Sequence, residues 1–119
     1  MKTLLLMRHA EAGWDKPEIS DFERPLNETG LKTAPFMGSV IYKNGWQPDL
    51  IVSSPAKRAK QTAILIKAVA EIPSKIEYRE ELYNARPTAF LEVTAAVEDK
   101  YDSILLVGHN PELENFIFK

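Results

Sequence analysis

Leu4-Leu5-Leu6-Met7-Arg8-His9-Ala10-Glu11 is the stretch from which the fold is read. Four apolar residues in a row, without alternation and stopped by a polar turn, predict a short central strand covered on both faces. Arg8 and His9 follow at its carboxyl end, where open α/β sheets place their ligands. The same pattern recurs at Leu50-Ile51-Val52-Ser53-Ser54-Pro55 and at Ile104-Leu105-Leu106-Val107-Gly108-His109-Asn110-Pro111. Three strand ends carrying Arg8, His9, Arg58 and His109 are therefore expected to converge over one anion.

The bulk numbers narrow the class. A chain of 119 residues, 45% of them hydrophobic, is expected to form one domain over 1–119 with enough apolar surface to fill a core. The absence of cysteine excludes disulfides, thiol catalysis and thiolate metal sites, and it fits a reducing compartment. Met1-Lys2-Thr3 leads straight into the first strand, leaving no space for a signal peptide, so a cytoplasmic location is expected. No apolar stretch has the length of a membrane span, and no membrane partner is expected. Net charge is −2, from 15 basic and 17 acidic residues, which argues against a nucleic-acid partner because phosphate backbones require a basic face. Lys57, Arg58 and Lys60 form one local basic cluster, read as an inward arginine beside solvated lysines that steer an anionic substrate.

In chain order, the segment from Ala10 to Pro25 is a long, charge-rich loop and hence a functional segment, with Trp14 and Phe22 as its anchors. Asn27 caps a helix whose apolar face is expected from Leu31, Ala34, Val40 and Ile41. Pro35 conflicts with that helix and predicts a kink, or two pieces meeting near Thr33. Asn44-Gly45 ends it. After the strand Leu50 to Ser53, Ser54 is read as the cap and Pro55 as the opening of a helix running to Ala70. Ala59, Ala63, Ile66 and Ala70 face inward there, with Ile64 and Val69 widening the stripe. A short strand over Lys75 to Arg79, a helix after Pro87-Thr88 and a strand over Ser103 to Val107 follow. The last helix is barely begun at Lys119, and C-terminal structure is expected to be missing.

Two histidines among fixed guanidinium charges make a poor metal site and a good phosphate site, since arginine presents forked, charge-assisted donors to phosphoryl oxygens. A histidine in such a place transfers protons or attacks phosphorus through a neutral ring nitrogen. His9 is the better nucleophile because it follows the strand directly. Its second nitrogen is expected to donate to a backbone carbonyl of the same turn.

Met7-Arg8-His9-Ala10-Glu11-Ala12, Arg24-Pro25-Leu26-Asn27-Glu28-Thr29-Gly30, Ser53-Ser54-Pro55-Ala56-Lys57-Arg58-Ala59-Lys60-Gln61-Thr62-Ala63 and Val107-Gly108-His109-Asn110-Pro111 resemble the successive motifs of the histidine phosphatase superfamily, once called phosphoglycerate mutase-like. The compact form and the Arg-Pro-Leu segment resemble its small SixA-like phosphohistidine phosphatase branch. The resemblance implies an α/β chain in three α/β/α layers with a mostly parallel central sheet. It implies that His9 is phosphorylated in the catalytic cycle, with Arg8, Arg58 and His109 completing the phosphate pocket, and that neither a metal nor an organic cofactor takes part. Glu80, by its spacing to Tyr83, or its neighbour Glu81 would match the general acid of the branches that hydrolyse esters. Two positions depart from the pattern. Ala10 stands where many relatives have glycine, and Asp15 stands where larger branches place an asparagine that donates to phosphate.

Chemistry weighs the outcomes. An imidazole leaving group is protonated near neutral pH, whereas an alkoxide needs a well-placed acid. The expected activity is hydrolysis of an N–P bond, on a phosphorylated protein histidine or a small phosphorylated substrate. A broader phosphomonoesterase using Glu80 or Glu81 is the alternative enzyme, and a phosphopeptide-binding module without turnover is the alternative of another class.

Overall fold

The computed structural model describes residues 3–12, 20–83, 101 and 103–108. Strands β1 (Thr3–Arg8), β2 (Leu50–Ser53), β3 (Ile76–Tyr78) and β4 (Ser103–Gly108) form one sheet in the order β1-β4-β2-β3, and every pairing is parallel. Parallel neighbours need crossovers, and two of the segments between them are the helices α1 (Glu28–Lys43) and α2 (Lys57–Ala70). Among the described strands β1 stands at one end of the sheet, with β4 inside it. An unbroken apolar run in a sequence speaks of cover on two faces, and it carries no information about neighbours on two edges.

Burial on the inner strands defines the layers. Ile51, Leu105 and Val107 point to one face and join Ile41, Ala59, Ala63 and Ile66 in a single apolar cluster. Leu50, Val52, Ile104 and Leu106 point to the opposite face, as strand alternation requires, and are 0–1% exposed. A sheet buried this completely on both sides is the middle of a three-layer α/β/α fold. The helix expected after Thr88 lies outside the described residues, as do Trp14, Asp15 and His109.

Small residues set how closely the helices approach. The buried stripe of α1 is Gly30, Ala34, Gly38 and Ile41, spaced for one helical face. Gly38 lies so near α2 that a Cβ there would stand 2.9 Å from Val69 Cβ and 3.2 Å from the Ile66 carbonyl oxygen. Leu31, expected inside, is 48% exposed because the glycine-alanine stripe, one residue behind it on the wheel, makes the contact. Ile64 and Val69 are likewise outside, at 49% and 38%.

Pro35 does not divide α1, which runs unbroken for 16 residues. The proline lacks one N–H, while the Asn27 side chain accepts from the Gly30 amide at 2.9 Å and packing on α2 holds both halves in line. Asn44 and Gly45 (φ 69°) close the helix, as expected. The start of α2 differs from expectation. Ser54 Oγ accepts from the Ala56 amide at 3.2 Å and so forms a turn ahead of the helix, whose first backbone bond runs from Lys60 N–H to the Ala56 carbonyl. Pro55 therefore precedes α2, and Ala56 contributes no capping side chain.

Gly30 joins the fold to the strand-end turn. A side chain there would fall inside van der Waals contact of the Glu11 carbonyl oxygen, which already accepts from Asn27 N–H at 3.0 Å. Gly30→Ala should lower stability by about 1–3 kcal/mol, because overpacking against backbone outweighs the gain of about 1 kcal/mol in helix propensity. Urea unfolding with a lower midpoint at unchanged slope is the expected result.

Candidate active site

The turn after β1 is fixed before any ligand arrives. His9 N–H donates to the Gly108 carbonyl at 3.0 Å, one step past the Arg8–Gly108 register pair that ends β1 and β4. The Ala10 amide donates to Thr62 Oγ1 at 3.0 Å, and the Thr62 hydroxyl donates to the Arg58 carbonyl at 2.8 Å. One buried hydroxyl thus ties the His9 turn to the helical turn that carries Arg58. Gln61 adds a parallel tie, its Oε1 accepting from Leu26 N–H at 2.8 Å.

The His9 ring has its two nitrogens engaged differently. Nδ1 lies 2.6 Å from the Ala10 carbonyl oxygen, which can only accept, so Nδ1 carries the proton. Nε2 lies 3.3 Å from Arg58 Nε, which can only donate, so Nε2 presents a lone pair. Both contacts select the same neutral tautomer. Burial is the largest influence on its titration and lowers it; the Ala10 carbonyl pulls the other way, and the charges of Arg58, Arg8 and Arg24 lower it further, leaving a pKa of about 4.

Arg58 is 6% exposed although fully charged. Nη1 donates to the Asp21 carbonyl at 2.7 Å and Nη2 to Asp21 Oδ2 at 3.2 Å, while Nε faces His9. Asp21 Oδ1 also accepts from Arg24 Nη2 at 3.2 Å, and Asp21 Oδ2 from the Tyr83 hydroxyl at 2.7 Å. Burial raises the Asp21 carboxyl, but the Tyr83 hydrogen bond and the two arginines outweigh it and hold the group below the usual carboxylate range. Burial and the Asp21 charge raise the Tyr83 phenol. A cavity of about 420 Å³ opens beside the strand end, bounded by Arg8, His9, Glu11, Thr33, Met37 and Thr62 among others.

Of the residues expected from sequence, the structure brings Arg8, His9 and Arg58 together. His109 and Asp15 lie outside the described residues. Glu80 and Glu81 sit exposed on a 3₁₀ turn (Glu80–Leu82), and among the described residues neither carboxylate bonds to His9, Arg8 or Arg58. The residue by which that turn reaches the cluster is Tyr83. Asp21, Arg24, Thr62 and Tyr83 were given no role by sequence reasoning. Arg24 and Thr62 stand within motifs that were recognised, and Asp21 lies in the loop read as functional, but only the folded chain shows what each one touches. Among the described residues no three His, Asp or Glu side chains are grouped to hold a metal ion.

A parallel α/β sheet with a neutral imidazole and arginines at its carboxyl edge has the donors and charge that suit an oxyanion. Residues 4–103 match the model of the histidine phosphatase superfamily (branch 1), and the chain belongs to that family, in its SixA-like branch. Sequence relatives include an uncharacterized chloroplastic protein of Arabidopsis thaliana, 29% identical over 92% of this chain and 54% of its own. Another is an uncharacterized protein of Mycobacterium tuberculosis, 34% identical over 88% of this chain and 63% of its own. The chain thus spans somewhat more than half the length of these relatives. Among solved structures, SixA from Agrobacterium tumefaciens is 37% identical, covers 98% of this chain with 75% of its own, and superposes with a TM-score of 0.91. SixA from Nakamurella multipartitia is 35% identical at a TM-score of 0.80, over 93% of this chain and 60% of its own.

Two outcomes follow from the geometry. The His9 ring should titrate near pH 4 instead of near 6.5, as read from its carbon-bound protons by NMR. Because the unfolded chain binds this proton first, the stability owed to neutral His9 is complete above pH 6.5 and declines as the pH falls through about 4. Thr62→Val, which strands the Ala10 amide, should cost about 1–3 kcal/mol on chemical denaturation, whereas Thr62→Ser should retain most of it.

Proposed function

We propose that this protein is a phosphohistidine phosphatase, hydrolysing an N–P bond through a covalent phosphohistidine on His9. The observation that carries the reading is the Nε2 lone pair of His9, kept unprotonated at neutral pH and faced by Arg58 Nε at 3.3 Å. Similarity to the SixA proteins supports the substrate class.

In the first step Nε2 attacks phosphorus and the N–P bond of the substrate breaks, its imidazole leaving with a proton. Arg58 Nε–H, no longer matched by a lone pair, turns its charge to a phosphoryl oxygen, and Arg8 adds a second cation at the same edge. The Nδ1–H bond to the Ala10 carbonyl disperses the positive charge that the phosphorylated ring acquires. Water then attacks phosphorus, inorganic phosphate forms, and His9 departs as a weakly basic and therefore good leaving group. By the family resemblance, His109 supplies a further donor to the phosphoryl oxygens.

A leaving imidazole does not require Glu80 or Glu81, whose exposed carboxylates are not joined to the cluster. The enzyme should accordingly favour a phosphohistidine peptide over a simple phosphate ester in kcat/KM; equal or greater ester preference would reject the proposal in favour of a phosphomonoesterase. Acid-labile phosphate should be trapped on His9 and be absent from His9→Ala, while Arg58→Ala should slow turnover by about 10²–10³-fold, as for loss of one oxyanion donor. Full hydrolysis by His9→Ala would exclude the covalent route, and phosphopeptide binding without turnover would recast the protein as a binding module.

A further inference from the structure

Arg58 approaches His9 through one edge of its guanidinium and is grasped by the other. Nε points to the nucleophile, whereas the far end is occupied by two groups of a single residue, the carbonyl and the carboxylate of Asp21. The same carboxylate turns its second oxygen to Arg24, which lies close enough to His9 to lower its pKa. Asp21 is therefore the anion that lies between two cations of the site without occupying the edge that faces phosphorus.

The short 3₁₀ segment Asp21–Glu23 closes with backbone bonds from Glu23 N–H to the Ser20 carbonyl and from Arg24 N–H to the Asp21 carbonyl, and residues distant in sequence also hold it. The Tyr83 hydroxyl bonds Asp21 Oδ2, and the Phe22 ring meets the Tyr83 ring edge-on, centroids 5.0 Å apart at 85°. An arginine side chain has several rotatable bonds, and a guanidinium fixed only at Nε can swing about that contact. Contacts at both ends leave one orientation of the plane.

We infer that Asp21 is a positioning residue, latched by Tyr83, that orients the guanidinium groups of Arg58 and Arg24 for the phosphoryl group on His9. This deepens the phosphatase reading and rests on it. It differs from a second possibility with the same contacts, in which Asp21 imitates the phosphoryl group and must be displaced by it. The two differ in sign, because a holder strengthens oxyanion binding and an imitator weakens it.

Asp21→Asn separates them. Asparagine keeps the shape and the backbone carbonyl, but it sets an N–H₂ donor against at least one arginine donor. Orthophosphate binding by calorimetry, kcat and KM on a phosphohistidine peptide, and the thermal midpoint are measured on the full chain. The expected result is a rise in the phosphate Kd and a fall in kcat, each about ten-fold, with a thermal midpoint that is lowered but still above the assay temperature. Tyr83→Phe, which removes the hydroxyl and keeps the ring, should move both in the same direction by about five-fold or less, the usual worth of one hydrogen bond, and it carries the test should Asp21→Asn not fold. Tighter phosphate binding by Asp21→Asn would overturn the inference in favour of a competing anion, and unchanged Kd and kcat would overturn it outright while leaving the phosphatase reading intact. If the wild type binds phosphate but does not hydrolyse the peptide, that reading fails and the Kd alone decides the role of Asp21. A wild type that binds no phosphate would overturn both.

Discussion

The imidazole of His9 is held at both nitrogens, and the rest of the site depends on that constraint. A carbonyl on Nδ1 and a guanidinium on Nε2 are of opposite character, and together they admit one tautomer. Protonating Nε2 would set an N–H against the Arg58 donor inside a partly buried space. Burial does most to keep His9 free of its proton, and the charges of Arg58, Arg8 and Arg24 add to it. Burial and neighbouring positive charge thus act on the imidazole in the same direction.

That arrangement requires positive charge to be concentrated where burial makes it costly. Arg58 is almost wholly covered, and Arg8 and Arg24 are near enough for their charges to act on His9. Asp21 offsets part of this from the side away from His9, and Tyr83 and Phe22 lie against it there. Within the family to which the chain belongs, the described geometry accounts for how these side chains come to share one sheet edge. The parallel register carries Arg8 and Gly108 to the same level, and the Ser54 turn starts α2 beside them.

Much of this was legible in the chain itself. The strands were visible as apolar runs stopped by polar turns, and the convergence of Arg8, His9 and Arg58 followed from the rule that ligands gather at the carboxyl ends of parallel strands. The helical faces were less legible, because hydrophobicity favours Leu31, Ile64 and Val69, whereas the contact is made by Gly30, Ala34 and Gly38, where little side chain stands between the backbones. Among the described strands β1 has one neighbour, β4, and the apolar run could not give that pairing because face coverage and edge pairing are separate properties. Ser54 was assigned as a cap since serine before proline fits that pattern, yet its hydroxyl accepts from the Ala56 amide in a turn ahead of the helix. Asp21 and Tyr83 are 62 residues apart and meet only through the fold, so no local pattern announces them.

Thr62 has a consequence for motion. Its hydroxyl holds the amide after His9 and the carbonyl of Arg58 at once, and so links the end of the sheet to α2. His9 is bonded to Gly108 on β4 as well, so a shift of the helix against the sheet would load this one hydroxyl. The spacing of His9 and Arg58 is thus kept by a side-chain link between two elements rather than by either element alone.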